Sequence, residues 1–475
     1  MDDFKWIDMN AADILGKAHI ALKYPICDHC LGRFFAKSGY GLSNDERGRS
    51  LRIVLALTVE NDPGDSEIPD EDISRRIPVH VNTNTLKEKP DTNNIEPDEW
   101  IRTDGLSMEL PWKEVSFDED RCWLCEDVFD RIEDLVNKVI TAARDLQFDT
   151  FMIGTSLDPS MIHREEILLG IVEPKAAEPL KEEINRLVGK RLQEVWPESE
   201  VDKTDPEVTF IIDPIFRTIK TQIKPLFIYA RYRKMVRGIP QTRWPCKRCR
   251  GRGCEKCGGK GRMYEISVEE LIGQVVMEMA KGTNFKLHGK GREDVDVRTL
   301  GRGRPFVLEI SQPSIRKLDI DLIQDIVNQK CADKVQITDA RWALRKDISW
   351  VKEAGGRKRY RATVRISGDL DEEKLKYGIS LLSRSLIHQR TPVRVVHRRS
   401  DKIRDRKVHE AAYKILSDGN VEVDVLADGG LYIKELMHGD DGRTDPSLSS
   451  LLERTIEVVN LDVLDVLDDD EELNG

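Results

Sequence analysis

The chain has 475 residues, of which 39% are hydrophobic and 34% are charged, and its formal net charge at pH 7 is −11. This length exceeds what one hydrophobic core supports, so it predicts two to four domains. No apolar run reaches the roughly 18 residues of a membrane span, and the acidic N-terminus lacks the basic and then apolar pattern of a secretion signal, so we expect a cytoplasmic protein with no membrane partner.

The first 100 residues divide into a helical segment and a polar one. Residues 11–60 have a mainly helical pattern and carry the sequence CDHCLGRFF. Residues 61–100 are rich in Asp, Glu, Pro and Asn and have little apolar periodicity, which is typical of a loop or insertion.

The next part of the chain alternates helical and strand patterns. Helices are predicted at 127–146 and 180–196, and strands at 208–213 and 225–234. This order predicts an α/β block that ends near residue 240.

Positive charge is concentrated in two runs despite the acidic total. The stretch from Arg217 to Arg262 has 15 Lys or Arg and one acid, Glu255, and residues 388–409 have eight bases and two acids. The first run interleaves bases with aromatic residues in FIYARYRK. Dense basic runs of this kind predict a phosphate-binding surface, in which IYARYRK and the adjoining knuckle would grip phosphates and HRRSDKIRDRK would form a mobile loop.

Eight of the nine cysteines form four CxxC pairs. Two such pairs supply the four thiolates of a closed, structural zinc site, and a cytosolic chain favours zinc over disulfides. The sequence CKRCRGRGCEKC contains one complete site, and CDHC and CWLC make a second across about 90 residues. The predicted ligands are Cys27, Cys30, Cys122 and Cys125 at one site and Cys246, Cys249, Cys254 and Cys257 at the other.

Beyond residue 262 the pattern predicts an α+β domain, with helices packed on one face of a largely antiparallel sheet. Its first helix, within 266–280, begins with a capping box made by Ser267 and Glu270. No GxGxxG or GxxxxGK[ST] motif is present, so a nucleotide or S-adenosylmethionine cofactor is not expected. The further predicted helices are 318–329 and 371–387, and the strands are 305–310, 335–344, 360–367, 394–399, 421–428 and 431–437.

Three short motifs in this domain carry residues suited to catalysis. They are GRED with Asp294, KRYRATVRISG with Tyr360, and GGLYIKELMHGD with Tyr432 and Lys434. Each is weak alone, because a strand tyrosine is more often part of the core and a strand lysine is usually solvated.

Together and in this order, the three motifs resemble those of pseudouridine synthases. The longer stretches KPLFIYARYRKMVRGIPQT, GREDVDVRTLGRGRPFVLEI and GGLYIKELMHGDDGRT, with the CxxC pairs, resemble the archaeal and eukaryotic tRNA pseudouridine-54/55 synthase family. The resemblance covers nearly the whole chain and implies an N-terminal, zinc-bound THUMP-containing α/β domain joined to a C-terminal pseudouridine synthase domain of the α+β class.

The resemblance also divides the chain into five parts. These are an N-terminal zinc-bound region (1–125), a THUMP-like RNA-binding region (126–240), a zinc knuckle (241–262), the catalytic domain (263–465) and an acidic tail (466–475), which we expect to be disordered.

The resemblance assigns the central role to Asp294, as the nucleophile on a flipped uridine. Whether it attacks C6 of uracil or C1′ of ribose stays open. Asp296 is its rival, since both share a face if the segment is extended. Glu293 is expected to point away, toward the surface. Lys434 is the expected counter-ion that keeps Asp294 charged.

Three further residues are expected to contact the RNA. Tyr360 would stack on the flipped base and place its phenol near the C5 proton. Tyr432 would line the same pocket, and Arg292 would fill the gap left in the RNA or hold a phosphate.

The expected partner is tRNA, bound by its acceptor end and its T-loop arm, with positions 54 and 55 as substrates. We expect a monomer with two structural zinc ions and no organic cofactor. Two alternatives are a THUMP-bearing RNA-modifying enzyme of another class, such as a methyltransferase or thiolase, and a zinc-stabilised tRNA-binding adapter without catalysis.

Overall fold

A computed structural model describes residues 11–60, 121–353, 356–397 and 400–467. The chain forms two compact units, of which the first ends at Gln222 and the second begins at Ile223. The predicted insertion at 61–100 and most of the predicted acidic tail lie outside the described residues. Among the residues described, no helix has both the length and the apolar character needed to cross a bilayer.

The first unit contains a four-stranded sheet with the order β2-β1-β3-β4, in which β1 runs parallel to both β2 and β3. The predicted helices at 127–146 and 180–196 and the strand at 208–213 are confirmed, whereas α5 and β1 are not anticipated from the sequence. The elements are α1 (Ala11–Ala21), α2 (Asp28–Arg33), α3 (Asn44–Glu60), α4 (Ile132–Ala143), β1 (Thr150–Thr155), α5 (Pro159–Val172), α6 (Leu180–Val195), β2 (Glu200–Val201), β3 (Val208–Asp213) and β4 (Thr218–Ile223).

The second unit is built on a ten-stranded sheet with the order β13-β10-β11-β12-β9-β14-β7-β5-β8, and β6 pairs with β7. Its elements are β5 (Leu226–Lys234), α7 (Val268–Ala280), β6 (Asn284–Gly289), β7 (Arg298–Ser311), α8 (Ile320–Cys331), β8 (Val335–Ala343), α9 (Asp347–Glu353), β9 (Lys358–Ile366), α10 (Glu372–Leu382), β10 (Leu386–Arg390), β11 (Ile403–Ile415), β12 (Val421–Ala427), α11 (Ile433–His438), β13 (Thr444–Asp445), α12 (Leu448–Leu452) and β14 (Ile456–Val466).

The sheet is largely antiparallel, as predicted, and the pairing of β14 with β7 is parallel. The prediction that helices cover one face is wrong at the β5 end. Ile228 and Ala230 pack in the core formed with α7 and α8, whereas the alternate residues Phe227 and Tyr229 pack against Val351 of α9. Side chains alternate between the two faces of a strand, so β5 is covered on both.

The strand β5 also contradicts the prediction that its basic side chains grip phosphates. Arg231 and Lys234 are both buried. Arg231 donates hydrogen bonds to the carbonyls of Gly303 and Val466. The arginine and lysine of this strand therefore satisfy backbone acceptors inside the second unit, although the sequence analysis placed the strand in the preceding THUMP-like block.

The N-cap predicted at Ser267 is confirmed, because its hydroxyl accepts a hydrogen bond from the amide of Glu270. The predicted reciprocal bond differs: the serine hydroxyl donates to the Glu270 carboxylate at 2.8 Å. The amide of Val268, the first residue of the helix, donates to the carbonyl of Pro240.

Several predictions after residue 370 are wrong. The predicted helix at 371–387 ends at Leu382, and its last two predicted residues lie in strand β10. Residues 394–397 of the predicted strand form turns, and residues 403–409 of the basic run lie in the long strand β11 rather than in a loop. Apart from these corrections, the acidic sequence LDVLDV (461–466) lies in β14 in the middle of the sheet, where Asp462 pairs with Arg298 at 2.7 Å.

Candidate active site

The segment Lys290–Val297 connects β6 to β7, and we refer to it as the aspartate loop because it carries Asp294 and Asp296. The amide of Val297 donates a hydrogen bond of 3.1 Å to the carbonyl of Asp294, which closes a turn. The segment is therefore not extended, yet both carboxylates reach the same lysine side chain.

The nearest partner of the Asp294 carboxylate is Arg394, with 2.7 Å between Nη1 and Oδ2. Arg394 also pairs with Glu435 through Nε and Oε1, at 2.6 Å, and the Glu435 side chain is buried. Burial acts to lower the pKa of Arg394, but the hydrogen bond to Glu435 and the charges of Glu435 and Asp294 outweigh it, so the pKa is raised. A permanently charged guanidinium thus bridges a buried carboxylate and a half-exposed one.

Lys434 lies beside both aspartates but binds the second one. Its Nζ is 2.7 Å from Oδ2 of Asp296 and 4.0 Å from Oδ2 of Asp294. Partial burial acts to raise the pKa of Asp296, but the hydrogen bond and the charge of Lys434 more than offset it, so the pKa is lowered. The expected pairing of Lys434 with Asp294 is therefore the longer contact, and Arg394 supplies the shorter one.

The segment LYIKELM is helical, which corrects the predicted strand at 431–437. Its apolar residues Ile433, Leu436 and Met437 have the i, i+3, i+4 spacing of a helix face and are all buried. Gly439, at φ +86°, ends the helix. Lys434 lies off the buried face, which places its amine beside the aspartates.

Tyr432 is the N-cap of α11, and its backbone is held by a buried glutamine. Gln389 donates to the carbonyl of Tyr432 at 3.0 Å and accepts from its amide at 2.8 Å. The guanidinium of Arg394 lies 5.7 Å from the centre of the Tyr432 ring, within the range of a cation–π contact. The structure therefore brings Tyr432, Arg394, Asp294 and Lys434 together.

Tyr360 is related to the aspartate loop by the register of the sheet. On β9 it is opposite Val463 of β14, and Val463 pairs in turn with Thr299, the second residue of β7 after the aspartate loop. Burial raises the pKa of Tyr360 to about 12, and the charge of Arg304 acts in the opposite direction. The phenol is therefore protonated at neutral pH, which suits a base-stacking ring or a hydrogen-bond donor.

Arg292 has a different neighbour, since its guanidinium lies 4.5 Å from the centre of the Trp244 ring. Trp244 stands two residues before Cys246 and contacts the ring of Tyr264 at 5.4 Å between centroids. The exposed Arg292 thus lies beside the zinc knuckle region rather than in the carboxylate cluster.

Glu293 is not on the surface, so that prediction is wrong. Its side chain is 0% exposed. Both of its oxygens accept from the hydroxyl of Tyr232, and Arg304 lies 2.9 Å away. The loop turns Glu293 into the protein, whereas Asp294 faces solvent and Arg394.

The eight paired cysteines form the two clusters that were predicted. Within each cluster the four sulfur atoms lie within 4.8 Å of one another. Cys27 and Cys125 are 3.6 Å apart, and Cys249 and Cys257 are 3.9 Å apart. A tetrahedral ion with metal–sulfur bonds of about 2.3 Å needs sulfurs about 3.8 Å apart, whereas a disulfide needs about 2.0 Å.

Backbone amides also point at the sulfurs. Cys257 Sγ accepts from the amides of Cys254 and Gly261, and Cys249 Sγ accepts from Gly253, all at 3.2 Å. Such hydrogen bonds favour the thiolate form that binds a metal. The donor sets therefore fit metal ions at both clusters. Cys331 lies outside them and is buried, as expected for a small apolar side chain.

Sequence reasoning missed three residues of this site, namely Arg394, Glu435 and Gln389. Arg394 was assigned to a basic run with no individual role, although its position after Thr391-Pro392 separates it from the denser HRRSDKIRDRK. Glu435 and Gln389 carry no local signal, because Gln389 acts by binding the backbone of Tyr432 and Glu435 by pairing with Arg394, both about 40 residues away in the chain.

Comparisons with known proteins show which family this chain is similar to. A family profile described as "Pus10, C-terminal" matches residues 227–467, and one described as "Pus10 THUMP domain, archaeal" matches residues 135–213. Among similar proteins, the tRNA pseudouridine synthase Pus10 of Methanothrix thermoacetophila is 38% identical over 96% of this chain and 95% of its own. That of Methanocaldococcus jannaschii is 40% identical over 94% of this chain and 93% of its own.

A solved structure titled "Crystal Structure of a Cbf5-Nop10-Gar1 Complex" is 18% identical and covers 43% of this chain and 47% of its own, with a TM-score of 0.28. That score is too low to support an argument about the fold.

Proposed function

Because the chain belongs to the Pus10 family of tRNA pseudouridine synthases, we propose that it isomerises uridine to pseudouridine at positions 54 and 55 in the T-loop of tRNA, with Asp294 as the nucleophile on a flipped uridine. The observation that carries this proposal is the Asp294–Arg394 ion pair, with Lys434 and Tyr432 beside it. A carboxylate held by a fixed cation at a solvent-facing position is suited to nucleophilic attack.

The reaction breaks the bond between N1 of uracil and C1′ of ribose, joins C1′ to C5, and moves the proton from C5 so that N1 becomes protonated. Asp294 would hold either C6 or C1′ covalently while the base turns. Tyr360 would stack on the everted base, with its protonated phenol as a donor, and Tyr432 would line the pocket. The reaction is an isomerisation, so we expect no organic cofactor.

Arg394 and Lys434 would hold the two carboxylates in separate orientations. The guanidinium is anchored on the buried Glu435, so its position does not depend on the bound RNA. Asp296 is 66% exposed and is paired with Lys434, which favours a supporting role for it.

The proposed tRNA contacts involve both units. The THUMP region would bind the acceptor end. The exposed basic side chains of Arg390, Lys402 and Lys407, around β10 and β11, would contact the phosphates of the T-loop arm. RNA loops are favourable targets, because their bases unstack at lower energetic cost. Arg292 and its partner Trp244 extend this surface toward the knuckle. We propose that the chain acts as a cytoplasmic monomer.

We propose zinc as the metal at both cysteine clusters, because four thiolates in a closed set are its usual structural ligands. The first cluster would tie residues 27–30 to 122–125, and the second would shape the knuckle. We retain the five-part division of the chain as part of this proposal except at its boundary near residue 240, because β5 (Leu226–Lys234) lies in the sheet of the second unit.

The zinc assignment is tested by metal analysis of purified protein. We expect about two zinc ions per chain, about one after Cys30→Ser or Cys254→Ser, and a lower melting temperature for both variants, because closed sites stabilise the fold. Cys331→Ser is the matched control and should retain both ions. A fully active preparation without zinc would contradict the assignment.

The proposed function is tested with an unmodified tRNA transcript, the purified protein and no cofactor. We expect uridines 54 and 55 to be converted to the C-glycoside, as read by mass spectrometry and by mapping of modified sites. Conversion of a uridine elsewhere in the tRNA would reject only the assignment to positions 54 and 55. Tight binding of tRNA without any conversion would reject the proposed isomerase activity.

A further inference from the structure

Side chains, rather than regular secondary structure, hold the backbone of the aspartate loop. Arg304 donates to the carbonyl of Lys290 at 2.7 Å, and Gln241 donates to that of Gly291 at 3.0 Å. Lys234 donates to the carbonyls of Asp294 and Val295 at 3.2 and 3.1 Å. These bonds hold four carbonyls of the loop, on both sides of Glu293.

The three donors converge on one carboxylate, that of Glu293. Arg304 Nε lies 2.9 Å from it, and Lys234 Nζ lies 4.0 Å from it. Gln241 is linked to it through Tyr232, whose hydroxyl accepts from Gln241 at 2.8 Å and donates to both carboxylate oxygens. Glu293 is therefore the hub of a network that spans the loop.

Burial makes this network sensitive to the charge of Glu293. The side chains of Lys234, Glu293 and Arg304 are 0%, 0% and 2% exposed. Burial acts to lower the pKa of Lys234, and the Glu293 charge opposes it. Burial and the Glu293 charge both raise the pKa of Tyr232, which keeps its phenol protonated as a donor. Loss of the carboxylate charge would leave two buried cations uncompensated.

Adjacent residues of the loop thus have opposite orientations. Glu293 is buried within the network, and Asp294, the next residue, faces Arg394. A shift of the Glu293 backbone therefore moves the Asp294 carboxylate relative to its partner, and misplacement of a reacting group by about 1 Å can cost about 10²-fold in rate.

We propose that Glu293 is the positioning residue of the aspartate loop, and that its contacts with Arg304, Lys234 and the Tyr232–Gln241 pair set the orientation of Asp294. Glu293 itself does not touch the substrate. This inference rests on the proposed function, since it concerns the placement of the proposed nucleophile.

The test compares Tyr232→Phe and Glu293→Gln with the native protein by single-turnover conversion of tRNA, equilibrium tRNA binding and thermal unfolding. Tyr232→Phe removes one hydroxyl and leaves every charge in place. We expect its rate per folded molecule to fall about tenfold and that of Glu293→Gln about 10²-fold, with tRNA affinity within about twofold of the native value.

Asn328→Leu is the control for a general loss of stability. The native Asn328 side chain forms hydrogen bonds with the backbone of Ile337, and none of these involves the aspartate loop. It should lower the melting temperature and leave the rate per folded molecule unchanged. The positioning role is refuted if both test variants convert tRNA within twofold of the native rate, or if affinity falls in parallel with rate. If Glu293→Gln does not fold, Tyr232→Phe alone decides. An inactive native protein would instead reject the proposed function.

Discussion

Replacement of Asp294 by alanine should abolish conversion of uridine, with a loss of at least about 10⁴-fold in kcat, because it removes the proposed nucleophile rather than a supporting contact. Affinity for unmodified tRNA should stay within about threefold, since Asp294 contributes no positive charge to the RNA surface. Single-turnover kinetics and equilibrium binding measure the two quantities separately.

Asp296→Asn is the matched control for Asp294→Ala. It removes the carboxylate charge that Lys434 holds at 2.7 Å and leaves the Asp294–Arg394 pair intact. We expect kcat to fall about tenfold or less. The loss is limited because, of the two aspartates, Lys434 still has Asp294 as a neighbour. A larger loss of kcat for Asp296→Asn than for Asp294→Ala would assign the nucleophile role to Asp296. Equal activity of the two variants would show that neither aspartate of the loop is the nucleophile.

The second large effect is expected at Arg394. Arg394→Ala removes the cation that contacts Asp294 and leaves the buried Glu435 unpaired, which costs about 1–3 kcal/mol or more in stability. We expect kcat to fall about 10²-fold because the Asp294 carboxylate loses its shortest fixed contact. Arg394→Lys should be intermediate, since a single ammonium group cannot reproduce the planar fork that engages both carboxylates.

The measurement for Arg394 is kcat at saturating tRNA, with thermal unfolding as the check on folding. Arg365→Ala is the control, because this exposed arginine pairs with the exposed Glu457 on the same sheet and surface pairs contribute little. Its kcat should be unchanged. An Arg394→Ala protein that turns over tRNA at the native rate would show that Lys434 alone provides the counter-charge.

Lys434 was identified from the sequence and Arg394 was not, because the two cations are positioned in different ways. Lys434 follows the N-cap of α11, and the helix spacing of Ile433, Leu436 and Met437 turns its amine toward the aspartates. Arg394 lies in a turn and is held by Glu435, which comes from α11, 41 residues further along the chain. A resemblance between motifs can locate the first residue, but the second is identified only by the packing of two distant segments.

Periodicity and spacing identified many of the regular elements. The helices α4, α7 and α8 were predicted because their apolar residues recur at helical spacing, and Ser267 has the side chain of an N-cap. The four CxxC pairs predicted two sulfur clusters because each pair is local. Only the folding of the first unit brings Cys27 and Cys30 to Cys122 and Cys125.

The exposure of a charged segment is set by its surroundings in the fold rather than by its composition. FIYARYRK has the composition of an RNA-binding strand, yet Arg231 and Lys234 are buried and bind carbonyls, because neighbouring strands and helices cover both faces of β5. The acidic sequence LDVLDV (461–466) likewise lies inside the sheet, in the strand between β9 and β7, where Arg298 and Arg302 neutralise Asp462 and Asp465.

The sequence by itself therefore determined the family, the cysteines of the two clusters and the order of the three motifs, because these depend on residue type and local spacing. The tertiary structure decided which cation meets Asp294, why Glu293 is buried and how the aspartate loop is held. Those features depend on the register of strands distant in the chain, and no local pattern encodes which side chains that register brings within 3 Å of one another.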